Sequence, residues 1–179
     1  LFVSWLGKLV VDGNLIPFSI TIHAVSALAI LAFLVMLMQY FDGSKTAISK
    51  PLRLWIIASL TIAFLQLVLG TQVREIVDIA IESGVARIDL VNSLPKWWGI
   101  HRSAVWLIVI VHAMWAFPLM KMPRIALYAK LTFAILLAQS ITGILFTQFG
   151  FPAFAQPIHI LLGFALILVD LRILLASKS

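Results

Sequence analysis

The sequence predicts an all-α integral membrane protein with five complete transmembrane helices, preceded by the truncated tail of another. Three observations carry this. The 179 residues are 63% hydrophobic and only 11% charged, where a soluble domain carries roughly 25% charged residues. Mean hydropathy is +1.11. The charges sit in short clusters between apolar runs of about the length that crosses a bilayer as a helix. Little chain is left for a soluble domain. The net charge of +6 needs no nucleic acid, because basic cytoplasmic loops account for it. With no cysteine, disulfides, thiolate-held iron–sulfur clusters and cysteine-rich zinc sites are excluded within this chain.

Residues 1–11 read as the end of a helix that begins before Leu1. The stretch is apolar and lacks the charged start and cleavage site of a signal peptide. Complete spans are expected at 17–40, 54–72, 99–119, 127–148 and 157–176. Lys45, Lys50 and Arg53 follow the first. Lys121, Arg124 and Lys130 follow the third. Arg172 and Lys178 close the chain. These basic segments alternate correctly and are expected to be cytoplasmic. The 73–98 loop balances its charges and 148–156 has none, so both are expected outside, with Trp97 and Trp98 in an outer aromatic belt. Within that loop, apolar Val73, Ile76, Val77 and Ala80 predict a short amphipathic helix over 73–85 lying on the outer face, with Ile79 and Ile81 off its stripe.

One unit is used twice. Gly7 precedes His23 by sixteen residues, and Gly143 precedes His159 by the same interval. Gly13, Pro17 and Phe18 loosely echo Gly150, Pro152 and Phe154, and both copies reach Ile-His with a small residue four places on (Ala27, Gly163). Internal repetition of this kind reports architecture. His23, His101 and His159 each fall near the outer start of a span, at similar depth. Ionisable groups at membrane depth mark functional sites, and imidazole is the common axial ligand of haem b. Three histidines at one depth therefore point to haem ligation. Arg102 and Arg74, with Lys96 as a further candidate, are placed to meet anionic propionates. His112, three turns below His101, reads as an interhelical hydrogen-bonding group. Asp170 is expected to pair with Arg172 or reach the interface, and not to act as a proton relay. Gln72, Gln139, Gln148 and Gln156 read as interhelical glue or interface groups, and Gly70, Gly143 and Gly163 as sites of close approach of helices or of a flat macrocycle.

Gly70-Thr-Gln-Val-Arg74-Glu75 at the end of one helix, Ile100-His101-Arg102 opening the next, and Ile158-His159 on the last resemble haem A synthase. Residues Gly7 to Pro17 followed by Ile22-His23 are similar to the end of that family's third helix and the start of its fourth. The resemblance covers essentially the whole chain. It implies a pseudo-two-fold, eight-helix (four plus four) bundle, with residues 1–52 ending the N-terminal half and 53–179 forming the C-terminal, haem-binding half. It implies that His101 and His159 hold a haem b that passes electrons or supports the fold. His23 becomes an axial ligand at the site where haem O is converted to haem A. The partner of His23 and the family's glutamate belong to a helix outside this sequence, so these residues alone are expected not to be a competent enzyme. The cysteine pair of some members has no counterpart here, and His112 has no family role.

The implied activity is oxidation of the C8 methyl of haem O to a formyl group by a membrane oxidoreductase. The bacterial inner membrane is the expected location, with haem sites near the outer face. The partners implied are haem O, the lipid bilayer, an electron acceptor of unspecified kind, and haem O synthase or a second copy of the chain. The competing readings are a di-haem cytochrome b-type electron carrier that uses His112, and a structural subunit without haem.

Overall fold

The structure, a computed structural model, describes residues 1–12 and 16–178, without the side chains of Val11 and Asp12. Gly13, one of the repeat positions, lies outside the described residues. Helix α1 (Phe2–Asp12) leads to α2 (Ser19–Asp42), and the two-residue strand β1 (Thr46–Ala47) precedes α3 (Lys50–Glu82). A 3-10 turn (Arg87–Asp89) and α4 (Leu90–Ser93) lead to α5 (Trp98–Ser103) and α6 (Val105–Leu119), which form one span. Helices α7 (Ala126–Phe149) and α8 (Ala155–Ala176) follow, and strand β2 (Ser177–Lys178) pairs in parallel with β1.

The all-α membrane class holds, with five helices long and apolar enough to span a bilayer. Backbone groups in lipid must pair internally, and a helix does this along its own length. Helix α2 stops at Gly43, whose φ of 61° lets its N–H close on the Gln39 carbonyl at 3.0 Å. Helix α3 opens on Pro51, where a missing N–H costs nothing. Large apolar side chains such as Phe33, Met38, Trp106, Leu127 and Leu161 point outward, the side on which lipid lies.

Helices α3, α6, α7 and α8 form a four-helix bundle. Helices α6 and α8 each pack on both α3 and α7, so they face one another across the diagonal. Helix α2 lies along α8 and α3, and α1 lies against α2. The apolar core has an upper layer around Leu67, Leu136, Phe164 and Leu166, near the end carrying His101 and His159. A lower layer gathers Ile56, Trp115, Leu119 and Ile173 near the basic end.

The expected break after residue 72 is absent. Helix α3 runs unbroken for 33 residues, about 50 Å at 1.5 Å per residue, against a hydrocarbon layer of about 30 Å. No proline interrupts it, and Gly84 at φ 91° lies just past its end. Its last turns therefore continue past the histidine end instead of lying across it as a separate helix. There Val73 and Val77 bury against Leu90, Leu94 and Phe151 as a cap. Ile81 joins this packing, unlike its expected place off the stripe, while Ile79 is exposed. Trp97 and Trp98 are partly buried against the same cap. Gly150 closes the cap's edge at φ 66°, and a Cβ there would run into the Arg87 carbonyl.

Candidate functional site

The diagonal of the bundle brings two histidines together. His101 on α5 and His159 on α8 have ring centroids 6.4 Å apart, at an interplanar angle of 68°. They line a cavity of about 380 Å³ whose wall is mostly apolar and whose floor is Ala63, Leu67, Leu136 and Leu166. Each ring sits over a glycine of a neighbouring helix. A Cβ on Gly70 would come within 3.1 Å of His101 Cε1, and one on Gly143 within 4.0 Å of His159 Cε1. His23 repeats the pattern over Gly7, at 3.1 Å. In both sixteen-residue pairs a glycine of one helix faces the histidine of the next, closely at Gly7 and His23 and at ordinary contact distance at Gly143 and His159.

Thr142 holds the His159 ring. Its hydroxyl stands 2.7 Å from His159 Nδ1, where either atom can donate, and 2.9 Å from the Gln139 carbonyl. A hydrogen bond at Nδ1 fixes the imidazole's orientation and leaves Nε2 as the nitrogen that could bind a metal. His101 Nδ1 and His23 Nδ1 are buried without a hydrogen bond of normal geometry, as is Gln139 Oε1 at the cavity. Among the described residues no cluster of three or more His, Cys, Asp or Glu side chains is placed to hold a bare metal ion.

The cations divide. Arg102 and Arg74 both line the cavity. Arg102 lies over the Trp98 ring, 5.0 Å from its centroid, and Arg74 pairs with Asp78 one turn on. Lys96 lies away from the cavity, beside Gly99 and Ile100. Gln156 lines the cavity and donates to the Phe151 carbonyl at 3.1 Å, whereas Gln148 is exposed.

The stretch Gly70–Glu75 serves two neighbours at once. Gly70 clears space for His101. Thr71 meets Thr21 at 2.8 Å, and Gln72 donates to Thr21 at 2.5 Å, which fastens α3 to α2 two residues before His23. Glu75 accepts the Phe18 N–H at 3.1 Å and so satisfies the start of α2, where a carboxylate also suits the helix dipole.

A family model described as cytochrome oxidase assembly protein, COX15-CtaA, matches residues 1–171. The chain belongs to the COX15-CtaA family. The COX15-CtaA assignment carries a role in cytochrome oxidase assembly of the haem A synthase kind, an oxidoreductase-type activity. No curated protein and no solved structure matches the chain.

Beneath the cavity this COX15-CtaA chain holds a second polar pair. His112 and Asp170 are fully buried, with Nε2 2.9 Å from Asp170 Oδ2 and Nδ1 2.7 Å from the Ile108 carbonyl. Interhelical bonding was the expectation for His112, and it holds. The expected place of Asp170 beside Arg172 or at the interface does not, because Arg172 bonds Asp42 at 2.5 Å instead. Asp170 sits two residues, about 200° of helix rotation, from Arg172 and so faces the bundle axis while Arg172 points away. Both ring nitrogens of His112 are occupied, which leaves it no lone pair for an iron. Three residues escaped the reading of the sequence: Thr142, and Ser59 and Trp115 beside the lower pair, with Trp115 Nε1 donating to Ser59 Oγ at 3.0 Å. Thr142 could have been found from its place directly before the repeat glycine.

Proposed function

We propose that the chain contributes to a haem A synthase in which His101 and His159 hold a haem b. The supporting observation is their 6.4 Å ring separation across the bundle diagonal. His101 and His159 would hold the haem through their imidazole nitrogens, the usual protein ligands of haem iron. The surroundings agree with a flat apolar group. Gly70 and Gly143 remove side chains beside the rings, the walls are apolar, and Arg74 and Arg102 offer charge to propionates. When bound, haem b supplies a one-electron centre. The protein's own part is to fix the rings, orient that of His159 through Thr142, and keep water out.

By the same reading His23, over its matching glycine, is an axial ligand for the substrate haem O. There the C8 methyl is oxidised to the formyl of haem A, and electrons leave to an acceptor. The sites lie near the outer face of a bacterial inner membrane, with the basic loops inside. The 53–179 half holds haem b, and residues 1–52 belong to the substrate half.

The test is a reduced-minus-oxidised visible spectrum with pyridine haemochrome quantification on the detergent-purified protein. We expect about one low-spin b-type haem per chain by the two-ligand arrangement, lost in His101→Ala and in His159→Ala. A folded preparation without haem overturns the proposal, as does retention of the signal in both variants.

A further inference from the structure

The bundle diagonal is built in two storeys with one spacing. Asp170 follows His159 by eleven residues, and His112 follows His101 by eleven. Eleven residues is three helical turns with about 20° of drift, so each lower group projects from the same face as the histidine above it. Helices α5–α6 and α8 thus meet twice across the axis, first as His101 with His159, then as His112 with Asp170. We propose that His112 and Asp170 form a proton-binding site whose occupancy is linked to the charge held at His101 and His159.

The hydrogen bonds require the proton. The Ile108 carbonyl can only accept, so His112 Nδ1 carries a hydrogen and donates it at 2.7 Å. The 2.9 Å contact between Nε2 and Oδ2 then needs a second hydrogen, on either nitrogen or oxygen. A neutral imidazole facing a carboxylate would set lone pair against lone pair. The pair as built therefore holds one proton beyond neutral histidine plus carboxylate, and its net charge is zero. Removing that proton leaves a carboxylate with no solvent exposure, an expensive state. Asp170 Oδ1 makes no hydrogen bond. The buried Ser59 hydroxyl donates to the Ile56 carbonyl at 2.8 Å and accepts from Trp115 Nε1 at 3.0 Å.

The other charges do not compete. Arg53 on α3, Lys130 on α7, Arg172 on α8 and Asp42 at the end of α2 lie toward the basic end, and Arg172 is committed to Asp42. Thr132 on α7 is buried and uncharged, with its hydroxyl on the Tyr128 carbonyl. Among the described residues His112 is the titratable side chain in contact with Asp170. Between the storeys lie Ala63, Leu67, Leu136 and Leu166, an apolar layer that screens poorly. Across about 16 Å, at an effective dielectric of about 20, unit charges interact strongly enough to move a proton equilibrium by about one pH unit. An electron added above by a chemical reductant makes the pair hold a proton from water more tightly.

The linkage rests on the haem reading, whereas the extra proton does not. The experiment is a redox titration of the haem-bearing protein at several pH values, comparing wild type with Asp170→Asn. Asparagine keeps the shape and can donate to Nε2 without the extra proton. Arg74, Arg102 and any propionate are common to both proteins, so the difference isolates the pair. The expected result is a midpoint potential that falls with rising pH over about one unit more of pH in wild type, with that dependence lost in Asp170→Asn and retained in Asp170→Glu. Identical pH dependence in wild type and Asp170→Asn overturns the proposal. If no haem is found, the reading of the upper storey fails on its own. Infrared spectra in H2O and D2O then test the lower pair directly, and absence of any exchange-sensitive band removed by Asp170→Asn overturns the proton site.

Discussion

Replacing Gly70 by alanine sets two known effects against each other, and replacing Gly143 isolates one of them. In either helix, alanine gains up to about 1 kcal/mol over glycine from backbone propensity. At Gly143 nothing opposes the gain, because the new Cβ would meet His159 at 4.0 Å, an ordinary contact. At Gly70 the Cβ would stand 3.1 Å from His101 Cε1, 0.3 Å inside the 3.4 Å at which ordinary contact begins. Relief comes from turning the imidazole away from its preferred rotamer, which costs about 0.5–1.5 kcal/mol. The propensity gain is thereby cancelled, and the ring that faces His159 is displaced. Thermal unfolding in detergent reads the first effect. For a chain of this size about 1 kcal/mol moves the midpoint by about 2–4 °C. Gly143→Ala is expected to melt that much higher, and Gly70→Ala no higher than the parent. The visible spectrum reads the second, with the low-spin signal weakened in Gly70→Ala alone. Equal melting shifts in the two variants, with both spectra unchanged, would refute the idea that Gly70 is there to clear His101.

Thr142→Val keeps the shape and removes the partner of His159 Nδ1. It should cost about 0.5–1.5 kcal/mol of stability in denaturant titration and shift the haem midpoint potential. Glu75→Gln leaves an acceptor for the Phe18 N–H but removes charge from the start of α2, and about 0.3–1 kcal/mol of stability should go with it. His112→Ala strands the buried carboxylate of Asp170. A loss of about 3–5 kcal/mol is expected, much of it restored when Asp170→Leu is added, as unfolding of the single and double variants would show.

The spans were legible because a bilayer demands long apolar runs, and composition reports that directly. Their ends were less so. Residues 73–82 are mixed in polarity because they pack under a cap of Leu90, Leu94 and Phe151, and no local pattern distinguishes such a continuation from a separate surface helix. The histidine end was legible from repetition, since Gly7 with His23 and Gly143 with His159 keep one interval. Asp170 was misread for an instructive reason. Its nearest opposite charge in the chain is Arg172, but two residues on a helix point to nearly opposite sides. The equal eleven-residue intervals from His101 to His112 and from His159 to Asp170 were already present in the sequence, and they predict the pairing once the two helices are known to be parallel.

A duplicated architecture ordinarily lets each copy drift alone. Here a segment of α3 six residues long touches both: Gly70 fits one imidazole, while Thr71, Gln72 and Glu75 grip the helix that carries another. A change in this segment is felt at two places that are far apart in the chain. Redesign around either histidine would have to treat this stretch of α3 as a common wall.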